Sequence, residues 1–389
     1  MPVAISPVVS DADLNAFIRL PNRMYRDFKG YAPPLTIDRR ALLDPKKAPF
    51  FKHGKVQYWL ARRDGVVVGR VSAQIDEAQG HGSFEHAGFF GCLDVEDDVE
   101  VTRALLEVAK NWLRERGCQR AIGPFVLSMN GEPGMLVEGY EEPPLTMVSW
   151  HPPYLADHMR ELGYEGCKDL HYWRVSDRGG LVEKLRQRKR ITQRAKDVTV
   201  RAVNMRDLPT DIEIIRMVYN DAWQDNWGFI PLQPEDVEAI YKDLKPFIRP
   251  EYGIIVEKNG KPVGAALTCP NLFEVLTDIG ADPSPLGWLK LAYRSKMHRF
   301  NSGFVILLGV LSEARNSVGG AVIAMALVDE IINRVLDLKD TSGWLEAGWV
   351  LDNNVALQKI LLQYGFEKKR TLRLFETPLG PAGVEMART

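Results

Sequence analysis

YWLARRDGVVVGRVSA (58–73) and GIIVEKNGKPVGAALT (253–268) share one pattern: an apolar run, an Asp-Gly or Asn-Gly pair at 64–65 and 259–260, then Val-Gly opening a second run. Both dipeptides suit a type I′ turn, whose two central residues take positive φ, so each stretch predicts a tight hairpin. A second pair keeps the same order. YLADHMRELGYEGCKDLHYW (154–173) and VALQKILLQYGFEKKRTLRLF (355–375) each predict an amphipathic helix ending at glycine, Gly163 or Gly365, then an aromatic residue, Glu and a strand. Glycine is the expected residue just past a helix, because it takes the left-handed conformation without a Cβ clash. Between hairpin and final helix each half carries another long helix, 100–116 (stopped by Gly117) and 319–338. Each is followed by a strand, AIGPFVLS (121–128) or GWLEAGWVL (343–351).

Both halves therefore run strand, helices, hairpin, strand, long helix, strand, helix, strand. Such alternation means an α/β lobe whose mixed, mostly antiparallel sheet is flanked by helices. Two such orders predict a duplication, with lobes at 1–177 and 199–389 and a basic linker at 178–198. Across that linker EKLRQRKRITQRAKDVTVR (183–201) holds eight Lys or Arg and two acids. It is either a solvated face or an attractor for phosphate groups or an anionic membrane surface.

The 389 residues exceed one ordinary core and suit two domains. A net charge of −1 argues against a general nucleic-acid binder, which needs a surplus of Lys and Arg. Cys92, Cys118, Cys167 and Cys269 stand far apart with no C-x-x-C pair, so neither a zinc site nor a disulfide scaffold is expected, and no metal. MPVAISPVVSDADL lacks a basic n-region and an apolar h-region, and no uncharged apolar run approaches the ~18 residues that span a bilayer. These features predict a protein of a reducing, cytoplasmic compartment.

FVILLGVLSEARNSVGGAVIAMA (304–326) combines an apolar strand, a loop with Arg and Gly, and a helix; WLEAGWVLDNNVALQKILLQYGF (344–366) follows as strand and helix. On these residues the second half resembles the GNAT superfamily of acyl-CoA-dependent N-acyltransferases, and the chain a pair of GNAT-like lobes. The resemblance implies acyl-CoA as co-substrate, its pantetheine arm hydrogen-bonding along Leu308 and Val310 where two strands splay apart. It also implies a pyrophosphate site built from Arg315, Asn316, Ser317, Gly319 and Gly320, with Asn354 opening the last helix. Free N–H groups at a helix start favour an anion, and glycines admit it to the backbone. Val318 stands where the family loop carries its first glycine. In the first half the corresponding CLDVEDDVEVTR (92–103) has no glycine and is rich in acids, which repel phosphates. That lobe is expected to be structural or to bind the acceptor.

Acyl transfer to an amine needs a base, a stabilised oxyanion and a protonated thiolate. The family often supplies the last proton from a tyrosine on the final helix. Seven residues after Asn354 stands Leu361, and Tyr364 three further on, so Tyr364 is either that acid or a core residue. YNDAWQDNWGFIP (219–231) offers Asn220, Trp223, Asn226 and Trp227 to an acceptor, unless the Trp pair merely seals the sheet. The long connection 123–154, a length that is often functional, offers Asn130 as an acceptor contact and Glu132 and His151 as general bases, or forms a surface loop capped by the histidine. LGWLKLAYRSKMHRF (286–300) sets Leu286, Leu289, Tyr293, Met297 and Phe300 at helical spacing among Lys290, Arg294, Lys296 and Arg299. It is a helix for a membrane interface or a lipid groove, or one packed on its own sheet with a wet basic face.

Asn130-Gly131-Glu132, Asn226-Trp227-Gly228-Phe229 and the lobe order resemble a bacterial two-lobed group associated with ceramide synthesis. That implies a long-chain acyl-CoA donor and a sphingoid-type amine. The expectation is an N-acyltransferase acting on a small-molecule or lipid amine, monomeric or homodimeric, cytoplasmic or peripheral on the inner membrane. The rivals are an aminoacyl-tRNA donor, as in peptidoglycan-type transferases, and a non-catalytic protein that binds acyl-CoA or lipid.

Overall fold

The two hairpin turns form as their dipeptides require, with φ of 50° and 78° at Asp64 and Gly65 and of 51° and 74° at Asn259 and Gly260. A computed structural model describes residues 3–78, 82–176, 197–235, 237–238, 250–317, 319–335 and 343–380. The chain divides into unit 1, Met1–Leu170 with Ile279–Ser284 and Arg370–Thr389, and unit 2, His171–Asp278 with Pro285–Lys369.

Unit 1 contains β1 (Ala4–Pro7), α1 (Asp11–Met24), α2 (Thr36–Leu43), β2 (Gly54–Arg63), β3 (Val66–Asp76), β4 (Ala87–Val95), α3 (Val99–Arg114) and β5 (Arg120–Gly123). It continues with β6 (Phe125–Val126), β7 (Glu132–Pro133), β8 (Met135–Glu138), α4 (Pro153–Glu161) and the start of β9 (Glu165–Val175). Its strands lie in the order β1-β2-β3-β4-β5, antiparallel except for the parallel pair β4–β5. The stretch 121–128, expected as one strand, is broken into β5 and β6 at Pro124, which has no N–H for a ladder.

Unit 2 repeats the plan with β10 (Val198–Ala202), α5 (Leu208–Trp223), β11 (Gly253–Lys258), β12 (Lys261–Pro270), α6 (Phe273–Leu276), α7 (Pro285–Met297) and β13 (Ser302–Val310). Then come α8 (Ser312–Arg315), α9 (Gly320–Val335), β14 (Trp344–Leu351), α10 (Val355–Gln363) and β15 (Glu367–Pro378). The order β10-β11-β12-β13-β14 is again antiparallel save for its last pair. Gly117, Gly163 and Gly365 end their helices at φ of 80°, 75° and 80°, the left-handed caps expected of them.

The duplication is not a simple succession of lobes. β9 crosses into unit 2 after Leu170, and β15 returns to unit 1 from Arg370, pairing Phe375 with Gly123 of β5 and Leu372 with Leu136 of β8. The units thus differ from the expected boundaries 1–177 and 199–389, since the end of the chain from Arg370 lies with unit 1 and the chain enters unit 2 at His171. All but the last two residues of the expected linker 178–198 fall outside the described residues.

Strand periodicity builds two cores in unit 2. Ile254, Val256, Ala266 and Val305 pack with Ile323, Leu327, Ile331 and Leu361 of α9 and α10; Ile255, Ala265 and Leu307 pack with Ile215 and Val218 of α5. A sheet covered on both faces needs near-continuous apolar strands, and each fully buried side chain of this kind contributes about 1.5–3 kcal/mol.

Candidate functional site

β13 and β14 are paired only from Ser302–Trp344 to Val305–Ala347. Past that point β13 runs on to Val310 and β14 to Leu351 with no ladder between them. The cause is local. β12 pairs Leu267 with Leu307 and Thr268 with Val305, so Ile306 is an extra residue, a bulge that bends β13 and raises its twist. The strands part at the bulge.

The gap between them is a cleft walled by Ile306 and Leu308 of β13, Gly348, Trp349 and Val350 of β14, Val328, Ile331 and Ile332 of α9, and Leu357 and Leu361 of α10. Every lining side chain is apolar, which suits a hydrocarbon or a thioester arm rather than a charged group. Trp223 of α5 stands at the wall against Trp349, with ring centroids 5.3 Å apart and planes at 72°. The backbone adds polarity along one edge. The Leu311 amide donates to the Val263 carbonyl at 2.9 Å, which makes 311–263, 309–265 and 307–267 the hydrogen-bonded pairs of this antiparallel ladder. The N–H and C=O groups of Leu308 and Val310 therefore face the cleft side, where β14 has left.

The loop after β13 differs from the expectation of open amides. Residues 312–315 wind into α8, so the Arg315, Asn316 and Ser317 amides donate to the carbonyls of Leu311, Ser312 and Ala314. The Gly320 amide donates to the Ser317 carbonyl at 3.0 Å. Gly320 is required by packing, since a Cβ there would overlap the Arg315 and Ala314 carbonyls. Gly319 is open, and the Lys258 ammonium would lie 3.6 Å from a Cβ on it. Arg315 is exposed and, among the described residues, makes only long contacts, 3.4 Å to the Ala222 carbonyl and 3.5 Å to Ser312 Oγ. The cations at this turn are Arg315 and Lys258, the latter 3.9 Å from Asp197 Oδ2. Val318 lies outside the described residues.

Unit 1 carries the same device in a closed form. β4 and β5 are paired from Ala87–Arg120 to Phe89–Ile122, and β4 bulges before Arg70–Asp94. In both units the peptide that follows the glycine after the last pair is cis, Gly123–Pro124 and Gly348–Trp349. The chain beyond β5, however, stays on β4. A Cβ on Gly91 would overlap the Phe125 carbonyl, and one on Gly123 the Phe90 carbonyl. Gln74 Nε2 donates to that Phe125 carbonyl at 3.2 Å, and the Phe125 ring is buried against Phe89. No arm could enter between strands whose backbones touch.

The remaining candidates fall into three groups. In unit 1, Glu132 is ion-paired with Arg39 at 2.6 Å and accepts from Ser149 Oγ at 2.8 Å. His151 is buried there and its Nδ1 accepts the Leu136 amide at 3.2 Å; burial holds its pKa below the ordinary histidine value. Asn130 lies on the same connection, half-buried. In unit 2 two candidates are structural. Tyr364 is buried in the core and donates to Asp329 Oδ1 at 2.6 Å, so its hydroxyl is turned to α9 and the residue is not on the cleft wall. Asn220 uses both ends of its amide on the Leu232 backbone, at 3.2 and 2.9 Å. Asn354 caps α10 through the Leu357 amide at 3.2 Å. Trp223 alone of its quartet lines the cleft; Asn226 and Trp227 lie half-buried in the turn after α5. The wall residues Ile306, Gly348 and Trp349 were not anticipated, although Gly348-Trp349 immediately follows the last paired residue of the expected strand.

No family model matches the chain. YghO of Escherichia coli (strain K12) is 33% identical over 364 residues, covering 94% of this chain and 92% of that protein. The bacterial ceramide synthase of Caulobacter vibrioides (strain NA1000 / CB15N) is 32% identical over 378 residues, 97% and 98% of the two chains. Among solved structures, a tandem GNAT protein from the clavulanic acid biosynthesis pathway superposes with a TM-score of 0.56 at 13% identity, over 98% of this chain and 100% of that one. A GCN5-related N-acetyltransferase from Sphaerobacter thermophilus gives 0.53 at 12% identity, over 100% and 98%. At such identities these likenesses speak to fold: two GNAT lobes along the whole chain.

Proposed function

The chain belongs to the tandem GNAT family that includes the bacterial ceramide synthase of Caulobacter vibrioides and YghO, and from that premise we propose that unit 2 transfers an acyl group from acyl-CoA to a lipid-like amine. The observation that carries this reading is the end of the β13–β14 ladder at Val305–Ala347, with an apolar cleft beyond it. A pantetheine arm can add to the exposed edge at Leu308 and Val310 as a strand would, and the acyl chain can follow the apolar wall. Lys258 and Arg315 are the cations for the CoA phosphates. In the reaction the amine nitrogen attacks the thioester carbonyl, and the C–N bond forms as charge moves to oxygen. Collapse then breaks the C–S bond, and the proton lost by the amine ends on the departing thiolate, giving an amide and free CoA. Backbone N–H groups along a water-poor edge suit the transient oxyanion. The lipid acceptor is supported by the apolar wall and by the printed name of the Caulobacter relative, and it would put the enzyme in peripheral contact with a membrane. Tyr364 has no part in this reading.

Calorimetry with CoA, acetyl-CoA and palmitoyl-CoA tests the donor, and release of free thiol on adding a long-chain amine tests the transfer. Tighter binding of palmitoyl-CoA than of acetyl-CoA is expected. Failure of all three ligands to bind would remove the donor assignment, and binding without thiol release would leave a carrier rather than a transferase.

A further inference from the structure

Helix α7 is turned inside out for a soluble surface. Leu286, Leu289, Tyr293 and Met297 are 78%, 68%, 67% and 66% exposed, Trp288 is 41% exposed, and Leu291 faces inward. The first four sit at i, i+3, i+7 and i+11, one stripe along the helix. Single exposed apolar residues are ordinary, but here five of the thirteen large ones among the described residues fall within twelve positions. Lys290 and Lys296 flank the stripe one on each side, about 100° apart per residue step around the axis. From Pro283 to Ser312 the sequence contains no acid, against Lys290, Arg294, Lys296 and Arg299. Two acids approach this segment: Asp278, paired with Arg294 and Lys290, which hold its carboxyl well below the usual range, and Glu274, 2.7 Å from His298 Nε2 just past the helix. Set against Lys290, Arg294, Lys296 and Arg299, they leave the face positive.

We infer that α7 docks this protein on an anionic bilayer, its apolar stripe in the acyl boundary and its lysines reaching up to the headgroups. The chemistry disfavours the simplest alternative, a two-fold pairing of α7 with a second copy, because a self-complementary contact brings the bases of one copy near the bases of the other. An anionic surface instead favours each of them, and a stripe this narrow suits a helix lying in the interface plane. No helix among the described residues is long and apolar enough to cross a membrane. The inference deepens the lipid-amine reading of the proposed function and rests on it only for its purpose; docking itself rests on α7.

Co-sedimentation separates the two. The full chain is mixed with vesicles of phosphatidylcholine alone or with one quarter phosphatidylglycerol, at low and high salt, and CoA binding is measured on the same preparations. Wild type should bind the anionic vesicles, and less at high salt. Leu289→Asp with Tyr293→Asp should lower partition at least tenfold, and Lys296→Ala about fivefold, the contribution expected of one lysine near an anionic surface. Both variants should keep the wild-type melting curve and CoA affinity, because the changed side chains are exposed. Equal binding of wild type and the double variant, or no binding of wild type, overturns the proposal, and so does a wild-type dimer that the double variant dissolves. Loss of CoA binding in wild type would fail the donor reading and leave docking to stand on the vesicles.

Discussion

Proline at position 308 separates a backbone role for β13 from a side-chain role. The Leu308 N–H faces away from β12, since the hydrogen-bonded pairs of that ladder are 307–267, 309–265 and 311–263. Leu308→Pro therefore removes no ladder bond, as proline on the open side of an edge strand generally does not. It deletes one cleft-facing donor and the leucine side chain. Leu308→Ala deletes the side chain alone, so the difference between the variants isolates the amide. One neutral hydrogen bond contributes about 0.5–1.5 kcal/mol net. At tenfold per 1.4 kcal/mol, Leu308→Pro should bind CoA about 2- to 12-fold more weakly than Leu308→Ala. Adenosine 3′,5′-diphosphate, which has no pantetheine arm, should bind the two alike. Gly309→Pro serves as the opposite control: it loses an N–H bonded to β12 and brings a Cβ within 2.9 Å of Val218, so it should lower the urea midpoint where Leu308→Pro leaves it near that of Leu308→Ala. If the two 308 variants hold CoA equally at equal midpoints, the exposed edge is not where the arm binds, and the reasoning fails.

Tyr364→Phe should cost about 1–3 kcal/mol in urea unfolding, because buried Asp329 loses a donor, while CoA affinity and thiol release stay within twofold; a large fall in turnover at unchanged stability would restore it as an acid. Arg174→Met takes from the fully buried carboxylate of Glu346 the guanidinium whose Nε donates to it at 2.9 Å, and should cost about 3–5 kcal/mol, whereas adding Glu346→Gln should recover much of it. His151 is held neutral by burial, so the unfolded chain takes up a proton near pH 6.5 that the folded chain resists. Stability should then fall as pH drops below about 6.5, and His151→Gln should flatten that part of the urea-midpoint profile; an unchanged slope would mean that His151 is not the group responsible.

What the sequence made legible is what depends on near neighbours. Asp64-Gly65 and Asn259-Gly260 specify their turns from two residues each, and Gly163 and Gly365 stop helices by their own backbone freedom. Strand and helix identities in the second half followed from apolar period, whereas the expectation of a gap beside Leu308 came from the GNAT resemblance of 304–326 and 344–366. The rest depends on residues far apart in the chain. That Ile306 is the bulge follows from the register of β12 on β13, which no local pattern states. That Tyr364 turns to Asp329, or that Asn220 spends its amide on Leu232, is a matter of tertiary direction, and both side chains look the same on paper whether they serve a site or a core. The α8 turn was hidden for a different reason: SEAR is an adequate helix former, and a resemblance to an open loop outweighed that local preference.

The duplicated chain also holds its own comparison, because the two units share a ladder that stops, a cis peptide after the following glycine and a bulge, yet only one gap is open. Counting on from the last pairs, Phe89–Ile122 and Val305–Ala347, Gly91 corresponds to Leu307 and Gly123 to Gly348. Closure in unit 1 uses both glycines, since a Cβ on either would strike the opposing backbone. In unit 2 the Gly91 position carries a leucine, buried against α5, and the glycine that remains, Gly348, is turned against the Tyr172 ring rather than against β13. The same closure in unit 2 would drive the Leu307 Cβ into the backbone of β14. Side-chain volume at Leu307 thus opposes closure beside the Ile306 bulge that parts the strands, and a ligand entering the gap would not first have to separate paired strands, a cost that would otherwise be subtracted from affinity.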